Sequence, residues 1–386
     1  MTVRVNKSSF NIREKLSELG RKFGLKGSEL AAAETVQEAR EIISAGRKNM
    51  VINGAMQVAQ RVAYPSTQPG AQYSNYYTVD RFQTGISVAG TWTISQSTDA
   101  PDGFANSIKY DCTTANTSLG STAQLYLVQK IEAQNLQHLG YGSSAAQDTT
   151  FSFYFKTNKT GVYTVELFQA DASRSIGFEM DVTQTGWQRY QFVIPGDTAG
   201  TINNDNGIGL WCFVWFAAGS SFTSGTFTNG AWATGTQANR LSSNQVNFAD
   251  STSNELYITG YQFELGRNAT EFEHRSYGEE LALCQRYFFK LSNSRLIMGY
   301  KRHDGSANFP VNTPVSMRVA PTPTLTASGT FSNFQSSFST TQSSPNIYEW
   351  SESGNRFIFQ VQSTWSSTHT YVPAWESFTA EFNSEL

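Results

Sequence analysis

Ile258–Phe289 reads ITGYQFELGRNATEFEHRSYGEELALCQRYFF and decides how the rest of the chain is parsed. Its first part closes a strand that begins near Glu255, with Leu256, Ile258 and Tyr261 offered to a core. Gly266 and the polar residues after it break that strand. Ser276, placed before Glu279 and Glu280, then starts a helix of one or two turns ending near Cys284. Phe288–Leu291 opens a new strand, so a β-rich body ends before this helix and a second β unit starts after it.

Upstream, Leu125–Ile131, Thr150–Lys156, Val162–Phe168 and Arg189–Ile194 read as strands. Ile208–Phe216 is apolar on both faces and is expected to be central, whereas Trp187 is expected in the core at a strand start. Clusters of Gly, Ser, Thr and Asn separate these runs, and no short repeat suggests a solenoid or propeller. Downstream, Arg295–Tyr300, Val315–Val319, Arg356–Val361 and Phe378–Phe382 are expected strands, with long loops or irregular edge strands over 326–346.

Residues 1–48 are different in kind. Basic residues are dense there, and Ile12, Leu16, Leu19 and Phe23 follow helical spacing. A second helix after Ser28 places Ala32, Val36, Ala39 and Ile43 on one narrow stripe, with Gly46 as its stop. Isolated helices of this length are marginal in water, so the stripe needs a partner. A symmetry-related copy, another protein and the chain's own downstream body all satisfy that need.

The net charge of -3 gives no general attraction to nucleic acid or anionic membranes. Charged residues make up only 15% and aromatics 13%, a balance suited to an all-β protein acting outside a cell or contacting sugars. Cys112, Cys212 and Cys284 are far apart, so no zinc ribbon or redox pair is expected, and folding in a reducing cytoplasm is. The first residues lack the apolar core of a secretory signal, and Leu210–Ala218 is too short to cross a bilayer.

The opening stretch resembles the closing segment of a β-sandwich domain common in bacteriophage fibre proteins. The matching residues are Gln262, Glu264, Gly266, Ala269, Thr270, Phe272, Glu273, Glu279, Glu280, Leu281, Cys284, Arg286, Tyr287 and Phe288. Asn49–Met56, Gln60, Arg61 and Asp80–Phe82 resemble the same domain's opening. Trp187, Ile194–Asp197 and Gly230–Trp232 follow in its order, and Val315–Thr322 resembles the C-terminal domain that often follows. The resemblance implies a virion fibre protein, made in the host cytoplasm, trimeric, attached by its N-terminal arm and presenting β-domains to the host surface.

For sugar contact, aromatic faces stack on pyranose rings while amides and hydroxyls orient them. The candidates are Trp92, Tyr141, Trp211, Trp215 and Trp232 in the sandwich, with Trp350, Trp365 and Trp375 in the last domain. Trp211 and Trp215 share one sheet face, and the same residues also suit a sandwich core. Glu166, Asp171, Glu179 and Asp181 are close enough in sequence to be considered as a glycosidase pair, but they read better as solvent-facing strand positions. His138, His274, His303 and His369 sit in separate contexts and seed no metal site. A structural calcium among Asp80, Asp99, Asp102 and Asp111 competes with an ordinary turn at Asp99–Gly103. No catalytic constellation emerges, so no enzyme activity and no cofactor are expected.

The expected architecture is mainly β: a helical arm over 1–48, a jelly-roll-like, carbohydrate-binding-module-like sandwich over 49–275, and a short helix with a small C-terminal β domain over 276–386. Ile12, Leu16, Leu19, Phe23, Val36, Ala39 and Ile43 are the expected attachment and trimer contacts. The expected function is host-surface recognition, with composition pointing to glycan; the competing expectation is a purely structural virion component without glycan binding, such as a head decoration or tail joint.

Overall fold

The computed structural model describes residues 48–61, 73–292, 297–301, 306–327, 330–333, 336–338, 342–350, 356–363, 374–376 and 379–386. The expected attachment residues Ile12, Leu16, Leu19, Phe23, Val36, Ala39 and Ile43 lie outside the described residues.

The body is a sandwich of two antiparallel sheets. Its strands are β1 (Tyr73–Tyr76), β2 (Phe82–Ser87), β3 (Thr91–Ser97), β4 (Ser107–Thr114), β5 (Gln124–Glu132) and β6 (Thr149–Thr157). They continue with β7 (Gly161–Gln169), β8 (Arg174–Val182), β9 (Gln188–Ile194), β10 (Ile208–Ala218), β11 (Ala233–Thr234) and β12 (Glu255–Leu265). One sheet runs β1-β2-β5-β10-β7-β8-β11 and the other β3-β4-β12-β6-β9. The chain crosses repeatedly between sheets, which gives the jelly-roll-like order expected from the strand pattern.

Alternation puts one side of each strand into the core. Phe151, Phe153 and Phe155 of β6 point inward and meet Tyr163 and Val165 of β7 and Cys212, Val214 and Phe216 of β10. The Tyr261 hydroxyl donates to the Cys212 carbonyl at 2.9 Å, tying the central strands of the two sheets together. A bulge in β12 between Thr259 and Gln262 shifts the register by one residue. Leu256 and Ile258 are therefore inward before it, and Tyr261 and Phe263 after it. Gly260 sits at the bulge with φ +64°, a left-handed value that favours glycine.

That register shift turns Gln262 and Glu264 outward, where they receive the chain that folds back after Gly266. Glu264 accepts from the Thr270 main-chain N–H at 3.0 Å and its hydroxyl at 2.6 Å. Gln262 accepts from the Glu273 N–H at 2.8 Å. Glu273 in turn accepts from the main-chain N–H groups of Lys48 and Asn49, each at 2.6 Å. Helix α1 (Tyr277–Gln285) starts with a capping box between Ser276 and Glu279, and Glu280 reaches back to the Asn53 N–H at 2.5 Å. Arg286 and Tyr287 both donate to buried Glu132, and the Arg61 guanidinium stands 3.7 Å from the centre of the Phe288 ring. Gln262, Glu264, Thr270, Glu273, Glu280, Arg286, Tyr287 and Phe288 of the closing segment thus lock the stretch around Asn49 and Asn53, the last sandwich strand and the strands after the helix together.

In that unit the described strands form three small antiparallel sheets. Phe288–Ser292 and Thr322–Ala327 flank Thr379–Asn383. One expectation fails here. Val315–Val319 is not a strand: Arg318 is held by the Ser384 and Glu385 carbonyls, each at 2.8 Å, and its own N–H pairs with the Arg286 carbonyl. The 326–346 region contains Thr330–Asn333, Ser336–Phe338 and the start of Gln342–Trp350 as strands; the last two lie at sheet edges and Gln342–Trp350 is irregular in register, in line with the irregular edge strands expected there.

Candidate functional site

The outer face of the seven-stranded sheet carries the aromatic residues that the sequence placed on one side of β10. Trp211, Phe213 and Trp215 form a stacked row, with ring centres 5.4 and 5.5 Å apart. The row does not enter the main core. It forms a second apolar cluster with Tyr126, Val128, Phe222 and Leu241. This is why β10 is apolar on both faces: one face fills the sandwich and the other is roofed by the chain that follows. The roof includes the short helical turn Ser220–Thr223 and the segment leading to Leu241.

An ion pair pins the roof. Glu166 of β7, fully buried, accepts from Arg240 Nε at 2.6 Å, Arg240 Nη2 at 2.8 Å and the Trp215 indole N–H at 2.9 Å. The Arg240 guanidinium lies 5.0 to 5.4 Å from the ring centres of Phe168, Phe213 and Trp215. A carboxylate used this way is a structural anchor. Of the other carboxylates, Glu179 accepts from Ser242 and Asn244, and Asp171 from Asn203.

Two of the tryptophan candidates are therefore corrected. Trp215 is 1% exposed beneath the roof, and Trp92 is 1% exposed with its ring stacked on Phe248 and its N–H on the Ala89 carbonyl. Tyr141, at 7%, is also inside, meeting Trp232 edge-on. None of these three offers a face to a sugar. Trp232 is half-buried and donates to the Pro195 carbonyl at 2.7 Å. Trp211 is half-buried at the open end of the row, with the Lys130 ammonium 4.5 Å from its ring centre. Burial pushes Lys130 down to about 8. Trp365 lies outside the described residues, while Trp350 and Trp375 fall on the strands Gln342–Trp350 and Ala374–Glu376.

Trp187 is also not core. It is half-buried on the other sheet's outer side, donating to Asp99 at 3.0 Å, and Asp99 also pairs with Lys156 at 2.6 Å. Asp80 is buried and bound by Arg61 and Gln60; burial raises its carboxyl to about 6 against the pull of Arg61. Asp111 lies 3.9 Å from Lys109. These aspartates serve cations of the chain itself, and among the described residues no three His, Cys, Asp or Glu side chains converge on a metal-sized site.

A small, shallow depression opens where the roof meets β8 and the edge strand β11. Phe227 seats on Gly177, whose missing side chain makes the room: a Cβ there would lie 2.5 Å from the ring. Exposed Thr226 and Thr228, half-buried Asn239 and the neutralised Arg240 complete the wall. Sequence reasoning missed this place because it weighed tryptophans first. The available signal was one aromatic in the hydroxyl- and amide-rich run Thr226–Gly230.

No protein-family model and no curated protein matches the chain. Among solved structures it is similar to the enzymatically active domain of tailspike protein 4 of bacteriophage CBA120, at 12% identity over 56% of this chain and a TM-score of 0.30. The matched part spans 21% of that tailspike chain. It is also similar to the family 22 carbohydrate-binding module of Clostridium thermocellum Xyn10B, at 13% identity over 52% of this chain and all of that one, with a TM-score of 0.27. A family 16 carbohydrate-binding module is similar at 10% identity over 45% of this chain and 85% of that one, with a TM-score of 0.24. Likenesses this distant carry no functional assignment.

Proposed function

We propose that the chain is a virion fibre protein whose sandwich binds a neutral surface glycan at the edge pocket. The observation that carries the glycan reading is the pocket's chemistry. An accessible aromatic ring, two exposed threonines and an asparagine converge beside an arginine already neutralised by Glu166. An uncharged polyol fits such a wall, because its apolar ring face covers Phe227 while its hydroxyls pair with the polar rim. The fibre reading is supported by the ordered motifs from Asn49 to Thr322 and by the contacts that join the closing-segment motif to Asn49, Asn53 and Arg61.

The test is competition for virion adsorption by the full chain, with and without Phe227→Ala, alongside direct binding to extracted host polysaccharide. The wild-type chain is expected to block adsorption and bind polysaccharide, and Phe227→Ala to weaken both about tenfold, as the loss of one stacking contact does. Saturating wild-type chain that blocks nothing and binds no polysaccharide overturns the reading. The roofed aromatic row favours a second reading, a structural virion component without glycan binding, since that surface is spent on the chain's own packing. Tight binding to another virion protein with no glycan binding would decide for it.

A further inference from the structure

The two sandwich sheets end in the edge strands β1, β11, β3 and β9. β1 and β11 are only 4 and 2 residues long. β3 is broken by a register shift between Thr91 and Trp92, and the chain before β2 lies against it, where the Thr78 hydroxyl donates to the Ile94 carbonyl at 2.9 Å. β9 is different. Its 7 residues, Gln188–Ile194, pair with β6 in unbroken register. Among the described residues, its main chain finds no backbone partner beyond β6.

A strand left this way presents a row of free N–H and C=O groups, which native edges usually blunt with Lys, Pro, a bulge or a charge. The sequence QRYQFVI contains no Lys and no Pro. Its one charge, on Arg189, is drawn back over the sheet, with Nη2 on the Thr270 carbonyl and 3.4 Å from Ser152 Oγ. The apolar groups along the edge are also incompletely covered. Tyr190 and Phe192 face the core but are only half-buried, and Phe192 meets half-buried Phe178 of β8 at 5.5 Å between ring centres. Val193, on the opposite face, is 37% exposed.

What completes such an edge is another strand, and β9 fits itself. Antiparallel pairing about a two-fold axis at Gln191 is the register that matches the whole strand. It sets Tyr190 against Phe192, Arg189 against Val193, and Gln191 against its own copy. No like charges meet, and the aromatic rings pair on the core side. We propose that β9 is a self-association edge that pairs in this register with β9 of a second copy of the chain. The two-fold operation keeps both core sides on one face, so two five-stranded sheets become one continuous sheet. The inference is independent of the glycan reading.

Cross-linking and sedimentation of the full chain test it. Gln191 is exposed, and Cys112, Cys212 and Cys284 are all buried, so Gln191→Cys adds the one accessible thiol. Facing residues of an antiparallel pair stand about 4.5–5.5 Å apart at Cα, within disulfide range. With diamide as oxidant, Gln191→Cys is expected to link two chains in at least about tenfold greater yield than Val88→Cys, an exposed position away from this edge. Gln191→Lys combined with Val193→Lys sets like charges across the axis and against Arg189. That variant is expected to weaken self-association by about tenfold or more in sedimentation, while the β6 peptide 149–157 keeps its protection from hydrogen exchange. A Gln191→Cys yield no higher than that of Val88→Cys overturns the inference. So does a wild-type chain that does not self-associate at about 100 μM. Association that the double lysine variant keeps in full, with its body folded, overturns it as well. A virion protein that protects the β9 amides, with no cross-link between copies, also overturns it and gives the edge to that partner.

Discussion

The two outer faces of the sandwich start from the same alternation and end in opposite states. On the seven-stranded sheet, the outward residues Trp211, Phe213 and Trp215 become a second core because the chain after β10 returns over them. On the five-stranded sheet, half-buried Lys109, Lys156 and Trp187 close over the Tyr257 ring with their own side chains and remain a surface of mixed charge and aromatic character. There Lys109 pairs with Glu255 at 2.9 Å, and the ammonium groups of Lys109 and Lys156 lie 5.4 and 5.1 Å from the Tyr257 ring centre. An outward-facing aromatic is thus neither core nor site by its own nature. What decides is whether a remote segment covers it, and whether a buried charge pair holds that segment down.

Breaking the pair is the strongest way to attack this contrast. Glu166→Ala strands the Arg240 charge and the Trp215 N–H beneath the roof, and is expected to cost about 3–5 kcal/mol in urea unfolding. Tryptophan emission should shift red as the roof loosens. A loss below about 1 kcal/mol would mean that apolar contacts at Phe222 and Leu241 hold the roof without the pair.

Lys130, at the row's open end, gives a pH-dependent test. Its folded-state value of about 8 lies below the ordinary 10.5, so between those values the unfolded chain binds more protons. The charged form is disfavoured in the fold below about pH 8, and that cost is relieved as pH rises toward 10.5. Lys130→Met removes the cost, although it also removes a 2.7 Å bond to the Leu386 carbonyl. The variant's stability relative to wild type should therefore fall by about 1–3 kcal/mol between pH 7 and pH 10. A difference that is flat with pH would mean that Lys130 is as well solvated as a surface lysine.

The smallest effect belongs to the open face. Trp187→Ala is expected to change stability by no more than about 1 kcal/mol, since its ring is half in water and its partner Asp99 keeps Lys156. A loss above about 3 kcal/mol in the same urea experiment would erase the distinction between the two faces.

Much of the fold was legible. Strands β5, β6, β7, β9, β10 and β12 and helix α1 were each anticipated to within about two residues, because alternation and capping are local signals. Strands β1 to β4 and β8 were not anticipated, since Ser, Thr and Gly dilute their patterns, as in Thr91–Ser97. Val315–Val319 misled in the other direction: its alternation is real, but Arg318 is claimed by Ser384 and Glu385 and the segment becomes a strap. The candidate site was the least legible part. Its pocket depends on Gly177 being bare under Phe227, fifty residues away in sequence.

By itself the sequence determined the β class, the capped helix that follows the last sandwich strand, and the pairing of Trp211 with Trp215 on one face. These follow from periods of two and from turn chemistry, which act over a few residues. Only the tertiary structure decided that this face is roofed, that Trp92 and Trp215 are core while Trp187 is not, and that the motif residues around Glu264 and Glu273 form a lock. Those outcomes depend on which distant backbone and charge arrive at each surface, as Arg240 does at Glu166, and no local pattern encodes that arrival.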